Sequence, residues 1–337
     1  MSTDGPTLPR IAVAGCGYWG RNLVRNFHAL GALAAVADPA PAGRALAAEL
    51  APGCTILDDI TALFTRADVD GIVLATPAAT HAPLGLAALA AGKHLFLEKP
   101  MALSLAEGVG LAAAAAKSGK VLMVGHLLEY HPAFRALREQ AGSRLGRLTR
   151  IQSHRTNFGK VRTEEDVLWS LAPHDIAMVL RLAGCQPERV SCTGTFALGT
   201  MRADTAIAVL RFPDGLDAHL LCSWIHPVKE QRLIAIGERG AAVFDDTLRE
   251  NKLVWHDQHV EWQAGQPRLV RAEPAAGTYP ADEPLRCECQ AFLDAIANGR
   301  PPVTDAASSL RVMAVLEACS QSLATAGAWQ AVAPLDP

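Results

Sequence analysis

The run Arg10-Ile11-Ala12-Val13-Ala14-Gly15-Cys16-Gly17-Tyr18-Trp19-Gly20-Arg21-Asn22-Leu23-Val24 constrains the fold more than any other stretch of the chain. A short apolar strand ends in Gly-x-Gly-x-x-Gly and passes at once into a helix-compatible segment. That order suits a strand–turn–helix unit that grips a dinucleotide. Gly15 allows the tight turn, Gly17 lets a pyrophosphate approach the backbone, and Gly20 lets the helix pack closely on the strand. The phosphates then meet the free N–H groups and positive dipole end of the helix, beside Tyr18 and Trp19. Glycines also gather in plain turns, so the motif needs support. A second apolar strand, Leu33 to Ala37, supplies it by ending in Asp38. A carboxylate there accepts the ribose hydroxyls of NAD and repels a 2′-phosphate, which favours NAD over NADP.

At 337 residues the chain is long enough for two domains with cores of their own, and half of it is hydrophobic. The net charge of −3 gives no sign of attraction to nucleic acid or to a membrane surface. The start, Met1 to Pro9, is polar and carries no basic-then-apolar signal pattern. No apolar run reaches membrane-spanning length. Eight scattered cysteines fit neither a zinc pattern nor a secreted disulfide framework, so no metal is expected, and reduced thiols in the cytoplasm are the simpler reading.

Residues 10–125 alternate apolar strands (10–14, 33–37, 53–56, 71–75, 93–97, 121–124) with helical segments (19–30, 41–50, 59–65, 79–91, 104–118). This alternation predicts a parallel α/β sheet of the Rossmann type, with ligands held beyond the carboxyl ends of its strands. Three of those ends are chemically loaded: Thr76-Pro77 with His81, Glu98-Lys99-Pro100, and Gly125-His126 leading to Glu129 and Tyr130. Pro100 biases Lys99 to an extended backbone. From about 147 the pattern changes to period-two alternation in 147–156, 189–198, 204–212, 216–224, 230–237, 240–245 and 252–256. That predicts an α+β second domain with a large, mostly antiparallel open sheet, one face covered and the other available to a partner subunit. Its turns are Phe212-Pro213-Asp214-Gly215 and Gly237-Glu238-Arg239-Gly240. A helix carrying His174 should begin near Trp169 or Ser170, since Pro173 is tolerated in a first turn. Segment 264–282 reads as an irregular loop, and two helices close the chain, 283–298 and 304–325. The expected domains are 1–126 and 127–337, with the closing helices able to pack back on the first.

Taken together, these residues resemble the glucose–fructose oxidoreductase/inositol dehydrogenase/MocA family. The resemblance rests on the glycine fingerprint, Ala75-Thr76-Pro77 with His81, Ala91-Gly92-Lys93-His94 running into Glu98-Lys99-Pro100, the His174 helix, and Arg286-Cys287-Glu288-Cys289-Gln290-Ala291-Phe292. It implies NAD(P)-dependent chemistry on sugars or polyols, in dimers or tetramers built through the open sheet. Further stretches are similar to the nucleotide-sugar 3-dehydrogenase branch: Gly17 to Phe27, Glu129-Tyr130-His131-Pro132-Ala133-Phe134, Arg155-x-Asn157-x-Gly159, and Ser223-Trp224-Ile225-His226-Pro227. That branch oxidises the C3 hydroxyl of UDP-N-acetylglucosamine, or of its uronic acid, before an aminotransferase makes a 3-amino sugar for lipid A or O-antigen. One departure stands out. The wider family often carries an Asp one helical turn before the histidine, where this chain has Ser170; Asp175 follows the histidine instead.

The resemblance implies that NAD contacts come from Gly15, Gly17, Tyr18, Trp19, Gly20, Asp38, Thr76, Pro77, His81, Glu98, Lys99 and His126. Oxidising a hydroxyl needs a base for its proton, and Lys99 and His174 are the two candidates. A lysine serves only if its surroundings lower its pKa, whereas histidine starts near neutrality. Lys99 is assigned to the reacting oxygen and His174 to the base or relay; each also has a plain reading, as a solvated loop lysine or a helix-turn histidine. A nucleotide sugar needs cations for its diphosphate and donors for its acetamido group. The substrate candidates are Glu129, Tyr130, Arg155, Asn157, Lys160, Arg162, Ser170, His174, Asp175, His226 and Lys229. Two rivals remain open, a dehydrogenase of a free sugar or inositol and a non-catalytic NAD-binding sensor.

Overall fold

A computed structural model describes residues 8–163 and 165–335; most of the polar start, Met1 to Thr7, lies outside the described residues. The chain divides into two compact units. One holds the residues up to Tyr130 together with Asp282–Met313, and the other holds His131–Ala281 with the residues from Ala314 on. The first closing helix therefore belongs with the nucleotide-binding unit.

In the first unit, β1 (Ile11–Ala14), α1 (Gly20–Ala29), β2 (Leu33–Ala37), α2 (Pro41–Leu50), β3 (Thr55–Leu57), β4 (Gly71–Leu74), α3 (His81–Ala90), β5 (His94–Leu97), α4 (Leu105–Ser118) and β6 (Leu122–Val124) follow in order. The six strands are parallel and ordered β3-β2-β1-β4-β5-β6. Strands with helices on both sides lose water from both faces, and the near-continuous apolar runs reflect it: Ile11–Ala14 and Gly71–Leu74 are buried throughout. The expected helix over 59–65 reduces to a single 3-10 turn, Thr61–Leu63, whose Thr61 N–H is already taken by the Asp59 side chain. Ser104 caps α4 by accepting the Glu107 N–H, and Gly119 ends it in a left-handed conformation.

In the second unit, α5 (Pro132–Leu145) opens the segment with proline in its first turn and His131 as cap. It went unassigned in the sequence because its apolar positions merge with those of the preceding turn, Leu127–Tyr130. Then come β7 (Leu148–Phe158), α6 (Val167–Ala183), β8 (Arg189–Thr195), β9 (Thr205–Arg211), β10 (Asp217–Ser223), β11 (Ile225–Gly237), β12 (Ala241–Asp245), β13 (Leu253–His256), β14 (His259–Gln263), β15 (Gln266–Val270) and β16 (Ala275–Ala276). The supposed loop over 264–282 thus contains β15, which pairs with β14 in a separate ribbon, and β16. Helices α7 (Pro284–Asn298) and α8 (Ala306–Ala324) and the short β17 (Gln330–Ala331) complete the chain. The large sheet has nine strands in the order β16-β13-β12-β11-β7-β10-β9-β8-β17, antiparallel except for β7 beside β10. Both hairpin turns fall where the sequence put them.

Alternation sets the two faces of that sheet. Ile151, Ser153, Ala206, Ala208, Leu220, Cys222, Leu233 and Phe244 are buried, whereas outward-pointing Ile207 is 52% exposed. Helix α6 begins earlier than Pro173 suggested. Asp166 is the cap, its carboxylate accepting the Trp169 N–H at 3.0 Å, so Pro173 lies inside the helix. The proline forfeits one helical hydrogen bond, and the cap and the burial of the α6 inner face hold the helix together around it.

Candidate active site

The nucleotide cradle is built by register. Ala14 pairs with Leu74, Leu74 with Leu97 and Leu97 with Val124, so β1, β4, β5 and β6 finish along one edge. The segments that follow, Gly15–Gly20, Ala75–Pro77, Glu98–Pro100 and Gly125–His126, are consequently neighbours at that edge. β1 and β4 flank the point where strand order reverses, the place where α/β sheets bind ligands.

The glycines behave as the fingerprint requires, each for its own reason. Gly15 has φ +92°, and a Cβ there would stand 2.8 Å from the Ala75 carbonyl. A Cβ on Gly20 would overlap the Gly15 carbonyl, so helix and loop pack as only glycine permits. A Cβ on Gly17 would meet nothing within 4 Å. Gly17 therefore faces open space at the N-terminus of α1, the room a pyrophosphate needs, and the residues present fit NAD. Asp38 is buried at the end of β2 and already shaped: its Oδ2 accepts the Cys16 N–H at 2.7 Å and its Oδ1 the Ala40 N–H at 2.8 Å. A carboxylate keeps further lone-pair sites, so these bonds tie the ribose acceptor to the glycine loop without using it up. Tyr18 is 84% exposed, with Arg21 stacked 5.3 Å from its ring centroid.

The loops after β4 and β5 brace one another. The His81 ring is buried and lies 2.8 Å from the Pro100 carbonyl through Nδ1 and 3.0 Å from the Thr76 carbonyl through Nε2. Expected as a cofactor contact, His81 instead joins the two loops that carry Thr76 and Lys99. The Lys99–Pro100 peptide is cis. Thr76 and Thr80 share a hydroxyl hydrogen bond of 2.7 Å, and Pro77 is exposed. Lys99 is half-buried. Glu98 accepts the Trp19 indole N–H at 2.5 Å and the Lys99 backbone N–H at 3.3 Å. Burial pushes the Glu98 carboxyl up to about 7, against the lowering effects of the Trp19 bond and the Lys99 charge. His126 is buried at the end of β6, and Glu129 lies buried on the following turn.

Several substrate candidates turn inward. The Tyr130 hydroxyl shares a 2.9 Å bond with Thr304 and lies among core side chains, where burial raises its pKa. Arg155 and Asp175 hold each other: Nε to Oδ2 is 2.5 Å, Nη2 to Oδ1 is 3.3 Å, and Ser153 donates to Oδ1 at 2.6 Å. Both are buried, so this pair ties β7 to α6 rather than presenting a cation to a diphosphate. Spacing in the sequence could not show this, because inward and outward positions on β7 differ by a single residue. Ser170, where the wider family pattern has an acid, accepts a 3.0 Å bond from Arg162, which also pairs with Glu165 at 3.2 Å.

The candidates that stay accessible gather at adjoining strand ends. Phe158 pairs with Ile225 and Thr156 with Glu230, so Asn157 lies opposite the bulge 226–229 in β11, and the chain beyond β7 continues past Trp224, whose carbonyl accepts the Gly159 N–H. Asn157 and His226 are half-buried there, and Lys160, Arg162 and Lys229 are exposed. The His226 ring lies 2.9 Å from the Val228 carbonyl. His174 is half-buried on α6, more than a turn beyond its start. Two contributors escaped the sequence reading. Gly125 leaves room for the Glu98 carboxylate, which a Cβ would approach to 3.0 Å. Glu288 on α7 is a buried carboxyl, and its only sequence signal was its place in the quoted motif.

Comparison with known proteins gives a consistent result. Residues 9–126 match the profile of an oxidoreductase family with an NAD-binding Rossmann fold, and residues 134–243 match the GFO/IDH/MocA C-terminal domain. The chain is 31% identical to UDP-N-acetylglucosamine 3-dehydrogenase of Acidithiobacillus ferrooxidans, over 90% of this chain and 94% of that protein. A crystal form of the same dehydrogenase superposes with a TM-score of 0.82 over 94% of this chain and 97% of its own, at 29% identity. Inositol 2-dehydrogenase 2 of Paenarthrobacter aurescens is 28% identical over 94% of this chain and 97% of that protein.

Proposed function

The chain belongs to the GFO/IDH/MocA family of NAD-dependent oxidoreductases, and from that premise we propose that it oxidises the C3 hydroxyl of a UDP-N-acetylated sugar, UDP-N-acetylglucosamine first among them, to the 3-keto sugar. The observation that carries this reading is the likeness to UDP-N-acetylglucosamine 3-dehydrogenase along nine-tenths of the chain. It joins a cradle whose glycine loop and Lys99 leave the same sheet edge. NAD, when bound, accepts the hydride from the carbinol carbon.

The protein's own part is orientation and proton handling. Gly15, Gly17 and the first turn of α1 hold the pyrophosphate, and Asp38 accepts the ribose hydroxyls. Trp19, Thr76, Glu98 and His126 line the strand ends. Lys99 touches the reacting oxygen, and His174 is base or relay. Lys160, Arg162, Asn157, His226 and Lys229 bind the nucleotide and acetamido groups, as cations and amides suit a diphosphate. Arg155, Asp175, Tyr130 and His81 position other residues.

The 3-keto product is set for transamination, which places an aminotransferase next and 3-amino sugars of lipid A or O-antigen beyond it. Outward-facing Ile207, Leu221, Ile234 and Val243 on the nine-stranded sheet support assembly of dimers or tetramers through that face. All eight cysteines are free, which supports a reducing, cytoplasmic setting. No helix among the described residues is long and apolar enough to cross a membrane.

The test is incubation with NAD and, separately, UDP-N-acetylglucosamine, its uronic acid and myo-inositol, followed by NADH absorbance and product mass. Oxidation of a UDP-sugar at C3 supports the reading. Turnover of inositol alone overturns it in favour of the second reading, which the inositol dehydrogenase relative motivates.

A further inference from the structure

Gly43 is a glycine that its own backbone does not require. It is the third residue of α2, and it lacks the positive φ of Gly15, Gly31 and Gly53. At an ordinary helical position glycine loses more conformational freedom on folding than alanine does. Packing supplies the reason for it. A Cβ at position 43 would overlap Oδ2 and Cγ of Asp38 and stand 2.8 Å from its Oδ1, so the three nearest atoms all belong to one carboxylate.

Both backbones around that contact are held. The Asp38 N–H is donated to the Leu57 carbonyl at 3.1 Å, where β2 and β3 end together. Arg44, the neighbour of Gly43, donates its N–H to the Ala40 carbonyl at 3.2 Å. Its Nη1 donates to the carbonyls of Asp38 and Pro39 at 2.9 and 2.7 Å. Pro41 stiffens the same turn. The start of α2 is thus strapped to the backbone of the residue whose carboxylate it touches. A side chain at position 43 would have to displace the carboxylate itself, away from the Cys16 and Ala40 N–H groups that fix it.

We propose that Gly43 is a specificity-determining position for the cofactor. The side chain it lacks is the space in which the Asp38 carboxylate sits while it accepts the ribose hydroxyls and repels a 2′-phosphate. Gly43 is a positioning residue, since it acts through Asp38. The glycine loop sets where the pyrophosphate lies, and Gly43 sets where the selecting charge lies. The Cys16–Asp38 bond ties the two together. The inference rests on the NAD-binding domain and not on the sugar proposed above.

The test is calorimetric titration of the whole protein with NAD and, separately, NADP, without sugar. It compares wild type, Gly43→Ala, Asp38→Ala and the double variant. Gly43→Ala should weaken NAD about tenfold, the scale of one hydrogen bond to a charged group, and should weaken NADP less. The preference for NAD therefore falls. The melting temperature without cofactor should hold, because alanine is the better helix former. A role in packing alone gives the reverse, a lower melting temperature with an unchanged NAD-to-NADP ratio. In Asp38→Ala the space is vacant, so adding Gly43→Ala should change neither affinity further. An unmoved ratio in Gly43→Ala, or a double variant that binds NAD more weakly than Asp38→Ala, overturns the proposal. Should Gly43→Ala fail to fold, the double variant decides: folding with the affinities of Asp38→Ala upholds the proposal, and misfolding overturns it. These titrations need no substrate, so their outcome is independent of which sugar is oxidised.

Discussion

Asp175 in one unit and Glu288 in the other are both buried carboxyl groups on helices, and the fold treats them oppositely. Asp175 has a bidentate arginine and a serine hydroxyl on its two oxygens, while Glu288 has no hydrogen-bond partner among the described residues. Burial penalises charge in each case. A pair with good geometry offsets that cost, and a lone acid avoids it by keeping its proton. The contrast teaches where to look for chemistry. The matched pair fastens β7 to α6. The unmatched carboxyl lies in the unit with the glycine loop and Lys99.

The contrast can be broken or sharpened by four measurements. Lys99→Met should show the largest effect, a loss of about 10²- to 10⁴-fold in turnover, the range for general acid–base groups, with NAD affinity by fluorescence titration nearly unchanged. Normal turnover in that variant, or in His174→Asn, removes the residue from its role. Asp175→Asn should act on stability instead. It strands buried Arg155 and should cost about 3–5 kcal/mol in denaturant unfolding, most of it recovered when Arg155→Met is added. If the double variant is no better than the single, the pair is not what that site needs.

The third measurement concerns pH. The Glu98 carboxyl rises from 4.5 to about 7 on folding. A carboxyl raised by folding contributes stability that is complete below about 4.5 and is lost as pH climbs through about 7, because the unfolded chain gives up the proton first. Wild type should therefore lose on the order of 1–3 kcal/mol across that window, and Glu98→Gln should flatten the slope. An unchanged slope means that Glu98 ionises normally. The smallest effect belongs to Glu288→Gln, expected to change unfolding free energy by less than about 1 kcal/mol, since a neutral amide replaces a neutral acid. A loss as large as that of Asp175→Asn would erase the distinction between the two carboxyls.

Much of the molecule was legible in the one-dimensional pattern. Glycine spacing, strand–helix alternation up to 125 and period-two alternation after 147 are local signals, because backbone freedom and the direction of side chains repeat along the chain itself. They located the Rossmann sheet, the open sheet, the Gly15–Gly20 loop and Lys99 beside it. Signals that compete at short range misled. Pro173 pointed to a helix start when the Asp166 cap already lay behind it, and α5 merged with the turn before it.

Sequence by itself fixed which chemical groups are available and which strand ends carry them. Tertiary structure alone decided which of those groups remain free to work. Arg155 and Asp175 were attractive as ligands until packing joined them, His81 until two carbonyls closed on its ring, and Tyr130 until Thr304 met its hydroxyl. Glu288 became interesting only through its surroundings. The physical reason is that desolvation and the partner of a polar group depend on atoms far away in the chain, and no local period encodes them.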